Sequence, residues 1–448
     1  MIVVVGAGPA GLAASISAAE SGAKVLLVDS ADHLGGQFWR HVVDDQLESQ
    51  GRDLISAVVR NSNIEILLSA QIWRATHLEG ETTLHLLIHG KSREIKTKLL
   101  VLATGAYDRT LPFPGWDIPG VMTPGAAQSL LKGSGTYAGK RIVIAGTGPF
   151  LLPVASALAS VGVDVVGLFE ANPMRKWFRY FFIALGNPSK LLQATQYLFS
   201  LKIKGVRVER GVAVIEAHAG EDGTLESVTV AKIDRLFNII HGTEKEILCD
   251  ALAIGWGFTA DLSLAGNLDL DQYMGVDGGL FVQVNKFQEA SRKGNFAAGE
   301  ITGIGGSELA LVEGRIAGLA ASGKIRILKF LVLSRYLKTK FATTLMRAYP
   351  VGKEWPRWLS EDTNICRCEE VPLSAIKEAI HNLKATDVRS TKLLCRVGMG
   401  LCQGRICGRS LIEIFSTEYG SHPTIKEQIA FASRPILSPI ALEDLADS

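Results

Sequence analysis

The chain opens MIVVVGAGPAGLAASISAAESGAKVLLVDS (residues 1–30), and the reading of this stretch decides the fold of the N-terminal part. Ile2 to Val5 form a continuous apolar run, the pattern of a strand covered on both faces. Gly6, Gly8 and Gly11 follow in G-x-G-x-x-G spacing. Gly6 permits a tight turn, Gly8 lets the backbone approach a pyrophosphate, and Gly11 lets a helix pack close to the sheet. Pro9 and Ala10 open that helix, whose first N–H groups face the phosphates. The helix is rich in Ala and Ser and stops near Gly22, a natural C-terminal cap. Lys24 to Val28 read as the next strand and end in Asp29. A carboxylate about 20 residues past the glycines can accept hydrogen bonds from ribose hydroxyls. Strand, turn, helix, second strand and terminal acid agree on a dinucleotide-binding unit.

The remaining composition narrows the class. A chain of 448 residues has room for roughly two to four domains. Its net charge of +2 argues against nucleic acid, which needs a concentrated basic face. The glycine signature begins at residue 6 and leaves no room for a secretory leader, so the expected location is the cytoplasm. No apolar run reaches the roughly 18 residues of a membrane span. WFRYFFIALG (177–186) and IRILKFLVLSRYL (325–337) come nearest. The second is basic and apolar and reads as a helix packed on its own domain or on a partner subunit. Contact with a membrane surface is the alternative. Arg175, Lys176, Arg179 and Lys190 read as a solvated face or, equally, as a face toward a partner chain.

Three further stretches carry a resemblance. LLVLATGAYDR (99–109) is a buried-strand pattern running into Ala103-Thr104-Gly105. GNFAAGEITGIGG (294–306) places Glu300 directly after Gly299, and LGGQFWR (34–40) contains Gly36 and Gln37. With the opening motif, these resemble two-dinucleotide-domain flavoproteins of the glutathione reductase fold. The resemblance implies FAD. It places the 103–105 segment near the flavin, the acid after Gly299 on the ribityl chain, and the 34–40 loop beside the ring. The implied FAD-binding set is Gly6, Gly8, Pro9, Ala10, Gly11, Asp29, Gly36, Gln37, Ala103, Thr104, Gly105, Gly299 and Glu300. Most members carry Asp where Glu300 stands. Disulfide-reducing members need a cysteine pair beside the flavin. Here no cysteine precedes Cys249, which sits alone in EILCDALAIG, a buried-strand pattern with a small core hydrophobe. The sequence therefore argues against disulfide reduction.

GKRIVIAGTGPFLLPVASALASVGVDVVGLFEA (139–171) repeats the opening pattern with Gly146, Gly148 and a terminal Glu170, an internal repeat. Leu151 occupies the third glycine position. Leu there must push the helix from the loop or pack in its place. Two readings stay open: a second nucleotide site (NAD or ATP) at Gly146 and Gly148, or a retained fold with a weakened pocket.

Five of the six cysteines lie between 366 and 407. Cys366-x-Cys368, then 33 residues, then Cys402-x4-Cys407 make two close pairs. Between them PLSAIKEAIHNL (372–383) has helical apolar spacing with Pro372 in the first turn. A second short helix is expected over 387–394 and a third from near Arg405. Helix starts beside cysteines lower thiol pKa and favour thiolate ligands. Four thiolates suit a structural zinc or an iron–sulfur cluster. The C-x-C plus C-x4-C spacing with GMGLCQGRIC (398–407) resembles the bacterioferritin-associated ferredoxin-like [2Fe–2S] domain over 362–412. That resemblance implies Cys366, Cys368, Cys402 and Cys407 as ligands and Cys395 as a core neighbour.

PGVMTPGAAQSLL (119–131), FAAGEITGIGGSELALVEGRIAGLAA (296–321) and SRPILSPIALEDLA (433–446) extend the resemblance over nearly the whole chain. They are similar to the FAD-binding A or alpha subunit of heteromeric amino-acid dehydrogenases. Members include opine oxidases, dye-linked proline and hydroxyproline dehydrogenases, and the larger flavoprotein subunit of hydrogen cyanide synthase; the alpha chain of heterotetrameric sarcosine oxidase is a longer relative. The implied fold class is α/β: a two-dinucleotide-binding-domain flavoprotein plus a small helical C-terminal iron–sulfur domain. The expected domains are FAD-binding 1–118 and 246–322, second nucleotide-like 119–245, helical linker 323–361, [2Fe–2S] 362–412 and tail 413–448. The implied function is electron transfer beside a D-amino-acid-oxidase-like flavoprotein subunit, with room for a small third subunit. No nucleophile–base pair stands out. His33, Arg40 and His41 near the flavin loop read as solvated or structural, with catalysis as the alternative. Two other functions remain: a self-sufficient NAD(P)H-dependent reductase with an external acceptor, and a non-enzymatic scaffold with a zinc module.

Overall fold

The computed structural model describes residues 1–39, 49–173, 188–325 and 329–446. Arg40, His41, Arg175, Lys176, Arg179 and the 177–186 segment lie outside the described residues. The chain forms two compact units, Met1–Tyr107 with Thr259–Thr343 and Ser433–Ser448, and Asp108–Phe258 with Thr344–Ala432.

The first unit is built on a five-stranded sheet ordered Asn295–Ala297, Leu100–Leu102, Ile2–Val5, Val25–Val28, Ile64–Leu67. All its pairings are parallel, with Val3 opposite Leu26 on one side and Leu100 on the other. The apolar strands Ile2–Val5 and Val25–Val28 are buried throughout, because both faces of the sheet are covered. On one face lie helix Pro9–Glu20 and helix Ser307–Ala321, with Leu12, Ala14 and Ala317 in the core. On the other lies an antiparallel sheet of Ala70–Leu78, Glu81–Ile88 and Lys91–Thr97, contributing Leu84, Leu86 and Ile95.

The two helices approach closely because their contact residues are small. A Cβ on Gly314 would lie 2.1 Å from the Ala10 carbonyl oxygen, and one on Gly318 2.2 Å from that of Ala14. The C-terminal tail belongs to this unit: Leu437 is buried beside the antiparallel sheet and donates its N–H to Trp73 O at 2.7 Å.

The second unit repeats the plan. Its parallel sheet runs Arg207–Arg210, Asp164–Glu170, Arg141–Gly146, Ala251–Gly255, Val121–Met122. A three-stranded antiparallel sheet, Val212–Ala219, Leu225–Lys232 and Lys245–Leu248, accompanies it. The cysteine segment packs in this same unit. The expected 372–383 helix is Leu373–His381, with Pro372 at the N-cap. The next is Val388–Cys395, started by an Asp387–Ser390 capping box. The third starts at Gly408, later than read from the sequence, with Cys407 at its N-cap. One apolar core joins Phe113, Trp116, Val228 and Trp256 to Ile365, Ile376, Leu411 and Phe415. Cys249 lies in that core, where burial pushes its thiol up to about 12.

Helix Lys329–Ala348 covers most of the basic apolar segment. Arg335 Nε pairs with Glu313 at 3.0 Å and Lys338 Nζ with Glu308 at 2.6 Å, while Phe330, Leu333 and Leu337 are exposed. Among the described residues no helix is long and apolar enough to cross a membrane.

Candidate functional site

The segments singled out for the flavin converge on the first glycine turn. Gly6 has φ +101°, and a Cβ there would sit 2.2 Å from Ala103 O. Ala103 N–H in turn donates to Val5 O at 2.8 Å. A Cβ on Gly11 would lie 1.7 Å from Gly6 O, so only glycine lets the helix begin this close to the turn. A Cβ on Gly36 would lie 2.8 Å from the Gly8 Cα, and Gly35 N–H donates to Ala7 O at 2.9 Å. One on Gly299 would meet the Ala10 Cβ at 2.9 Å.

Asp29 braces the turn, accepting from Ala7 N–H at 2.5 Å and Ala31 N–H at 2.7 Å. Thr104 and Gly105 are tied to Asp261, through Thr104 Oγ1 to Asp261 O at 2.8 Å and Asp261 N–H to Gly105 O at 3.0 Å. Gln37 is exposed. His33 is exposed and bonds Asp32 at 2.6 Å.

Helix Pro9–Glu20 has Gly8 at its N-cap, with no capping side chain and no acid in its first turn. Its leading N–H groups and the glycine-lined approach fit a pyrophosphate, which is the fit FAD requires.

Glu300 accepts from Gly306 N–H at 2.8 Å and Gly305 N–H at 3.3 Å, at the start of helix Ser307–Ala321. Burial pushes its carboxyl up to about 7. The sequence reading missed Glu313. It is buried and accepts from Gly299 N–H at 3.0 Å and from the Thr302 hydroxyl at 2.7 Å, besides pairing with Arg335. It thereby fixes the backbone just before Glu300. The signal was an acid at a core-facing helical position in ALVEGRIAG (310–318).

The second glycine loop is arranged differently. Gly146 keeps the tight turn, at φ +121°. Glu170, one methylene longer than Asp29, reaches onto the loop and accepts from the Thr147 hydroxyl at 2.8 Å and Gly148 N–H at 2.9 Å. It also accepts from Asn172 N–H at 2.9 Å. Burial pushes this carboxyl up. Leu151 is 2% exposed and packs in the core at the third glycine position. The helix starts there and not at Pro149, the counterpart of Pro9.

The four predicted ligands come together. Cys366 Sγ is 3.9 Å from Cys368 Sγ, which is 3.6 Å from Cys402 Sγ. Cys366 also accepts from the Cys407 thiol and from Gly398 N–H, the latter at 3.4 Å. A Cβ on Gly400 would lie 2.6 Å from Cys368 Sγ, so that glycine makes room for the sulfur. The Cys407 hydrogen bond brings the Cys366 thiol down to about 5. Cys407 itself moves up, because Cys366 takes the charge and because it is buried. Cys395 turns away, its thiol bonding Thr391 O within its own helix at 3.1 Å.

Among the described residues no group of three or more His, Cys, Asp or Glu side chains forms a ready-made site for a metal ion. The thiols meet instead as linked pairs, a donor set that suits a cluster shared by two irons. A cavity of about 320 Å³ opens beside all four, walled by Leu111, Trp116, Met122, Ile254 and Trp256.

Residues 1–317 match the pyridine nucleotide-disulphide oxidoreductase family, and residues 364–417 match the BFD-like [2Fe-2S] binding domain. Hydrogen cyanide synthase subunit HcnB of Pseudomonas protegens is 32% identical over 90% of this chain and 89% of its own length. The opine oxidase A subunit of Rhizobium meliloti is 31% identical over 99% and 98%. The crystal structure of L-proline dehydrogenase from P. horikoshii shares the fold, with TM-score 0.66 and 19% identity over 99% of this chain and 78% of that one.

Proposed function

Because this chain belongs to the pyridine nucleotide-disulphide oxidoreductase family and carries a BFD-like [2Fe–2S] module, we propose that it is the electron-relaying subunit of a heteromeric dehydrogenase or oxidase. The complex would oxidise the C–N bond of an amino acid, an imino acid such as proline or hydroxyproline, or an opine. The substrate would be oxidised on a partner flavoprotein subunit of the D-amino-acid-oxidase type. The observation that carries this reading is a dinucleotide cradle and a four-thiol set on one chain, without a cysteine pair in the flavin-type segments. Relatives named as subunits, matched over most of their length, support it.

Bound FAD accepts electrons in pairs and a [2Fe–2S] cluster passes them singly, so together they supply a change in electron count. The chain's own residues do the holding. Gly6, Gly8, Pro9, Ala10 and Gly11 present backbone to the pyrophosphate. Asp29 would face the ribose side of the turn, Gly36 and Gln37 would border the ring, and Ala103, Thr104 and Gly105 would lie near the flavin. Gly299 and Glu300 lie at the ribityl chain, held by Glu313. Cys366, Cys368, Cys402 and Cys407 supply the thiolates. The six free cysteines accord with a reducing cytoplasm.

The test is to purify the chain alone and assay amino-acid, imino-acid and opine oxidation with a dye acceptor. No turnover until a second subunit is added is expected, and robust turnover by the single chain refutes the relay. The NAD(P)H-reductase reading is weakened by Gly148 N–H being bonded to Glu170 and by the late helix start at Leu151. Anaerobic NADH is expected to leave the flavin bands unbleached.

A further inference from the structure

A short proline-rich stretch of the second unit, TLPFPGWDIPG (110–120), with Arg109 before it, touches both halves of the thiol set. At one end, Thr110 Oγ1 donates to Ile406 O at 3.1 Å, one residue before Cys407. Ser410 Oγ donates to Thr110 O at 2.9 Å. Arg109, 5% exposed, pairs with Glu413 on the helix that Cys407 caps, and Trp355 Nε1 donates to the other Glu413 oxygen at 2.6 Å. At the far end, Trp116 Nε1 donates to Asn364 O at 2.5 Å, two residues before Cys366. Asn364 Nδ2 donates to Asp117 Oδ2 at 2.7 Å. Arg367, between the two cysteines of the first pair, donates to Asp117 O at 3.2 Å and lies over the Trp116 ring. Between the ends, Leu111 and Phe113 are buried in the shared core.

We propose that residues 109–117 are the positioning element of the cluster, a stiff ruler that fixes the spacing of the two thiol pairs. Trp116 and Asp117 hold the Cys366–Cys368 half, and Arg109 and Thr110 hold the Cys402–Cys407 half. Cys366 ends the short strand Asn364–Cys366 and Cys368 lies in the turn after it, the second pair lies in the turn before helix Gly408–Tyr419, and 33 residues separate the two pairs. A two-iron cluster needs both pairs placed to a fraction of an ångström. Pro112 and Pro114 fix two φ angles in the connecting stretch, and Leu111, Phe113 and Trp116 are buried in the core, so the stretch has little freedom to change the distance between its ends. This gives the second unit, which begins at Asp108 and not at the 119 read from the sequence, a role that does not need a nucleotide. It rests on the reading that the four thiols carry a [2Fe–2S] cluster.

The experiment uses the full chain, as isolated with flavin and cluster. Trp116→Phe removes the indole N–H and also shrinks a buried side chain, so it is read beside a variant that changes no volume. Thr110→Val removes one hydroxyl at the other end. Iron and sulfide per chain, the electron paramagnetic resonance g values after dithionite reduction, the midpoint potential, and the rate of iron loss to a chelator are compared with the unaltered chain. Flavin content and thermal melting report on the fold. Groups that orient ligands typically change metal affinity about 10–100-fold when removed. Thr110→Val is expected to melt normally and Trp116→Phe somewhat lower, because it truncates a buried side chain; both are expected to retain flavin, shift their g values and lose iron at least about tenfold faster. Unchanged g values, potential and iron-loss rate in both variants overturn the proposal. An unaltered chain that holds no iron and sulfide overturns the cluster reading beneath it, and that outcome is seen before any variant is made.

Discussion

Gly314→Ala should cost the protein its flavin although residue 314 is remote in sequence from every residue of the first glycine turn. The new Cβ would stand 2.1 Å from Ala10 O, where real Cβ contacts stay beyond 3.0 Å. The helices Pro9–Glu20 and Ser307–Ala321 must therefore part by about 0.9 Å, the difference of those two distances. Neither neighbour is a flexible side-chain tip, since the contact is with backbone. Overpacking of this kind costs about 1–3 kcal/mol. In a unit of roughly 200 residues that corresponds to a fall in melting temperature of about 2–12 °C. The displacement acts on Ala10, two residues from Gly8, so the N–H groups meant for the pyrophosphate move with it. The assay is the ratio of flavin to protein absorbance after purification, with thermal melting of the same sample. Gly266→Ala is the control, because a Cβ there meets nothing within 4 Å. A Gly314→Ala protein with full flavin and unchanged melting would refute the argument that helix contact sets the cradle.

Cys402→Ser should abolish iron–sulfur absorption and leave FAD bound, because the thiols and the glycine cradle fold in different compact units; joint loss of both chromophores would contradict this. Glu300, at about 7 in the fold against an ordinary 4.5, favours its protonated form when folded. Its contribution to stability is therefore full below about pH 4.5 and is lost as pH rises through about 7. Melting of the flavin-free chain between these values should fall less steeply in Glu300→Gln than in the unaltered protein, and equal slopes would count against it. NADH should bind the second loop too weakly to reduce the flavin, and stopped-flow bleaching on mixing would show otherwise.

Local pattern made the first unit legible. A buried strand, three spaced glycines and an acid at the end of the next strand are all signals within about 30 residues, and the chain folds there as read. The resemblance put the 34–40 loop beside the flavin, but the contact between Gly36 and Gly8 was not legible, since two glycines in LGGQFWR say nothing of what they face. Glu313 was illegible for a related reason. Its partner Gly299 sits 14 residues away, and an acid on an apolar helix face reads alone as an unfavourable burial. The pairing of Leu437 with Trp73 spans most of the chain and leaves no trace in periodicity.

The two glycine loops show why a motif must be read with its neighbours. Both end their second strand in a carboxylate, and both carboxylates turn back onto the loop. Asp29 stops at Ala7, the residue before the second glycine, and leaves Gly8 to face a ligand. Glu170 extends one methylene further and takes Gly148 N–H itself. The helix beyond this loop also starts later, at Leu151, so its leading N–H groups lie further from the glycines. These two differences are what the proposal that no hydride donor reduces the flavin from this loop rests on. The second unit also carries surfaces that need no nucleotide. The 109–117 stretch, joined to both thiol pairs, is such a surface. It lies between about 247 and 304 residues from its partners in the chain, which is why the cysteine spacing announced the cluster while nothing in the sequence announced its support.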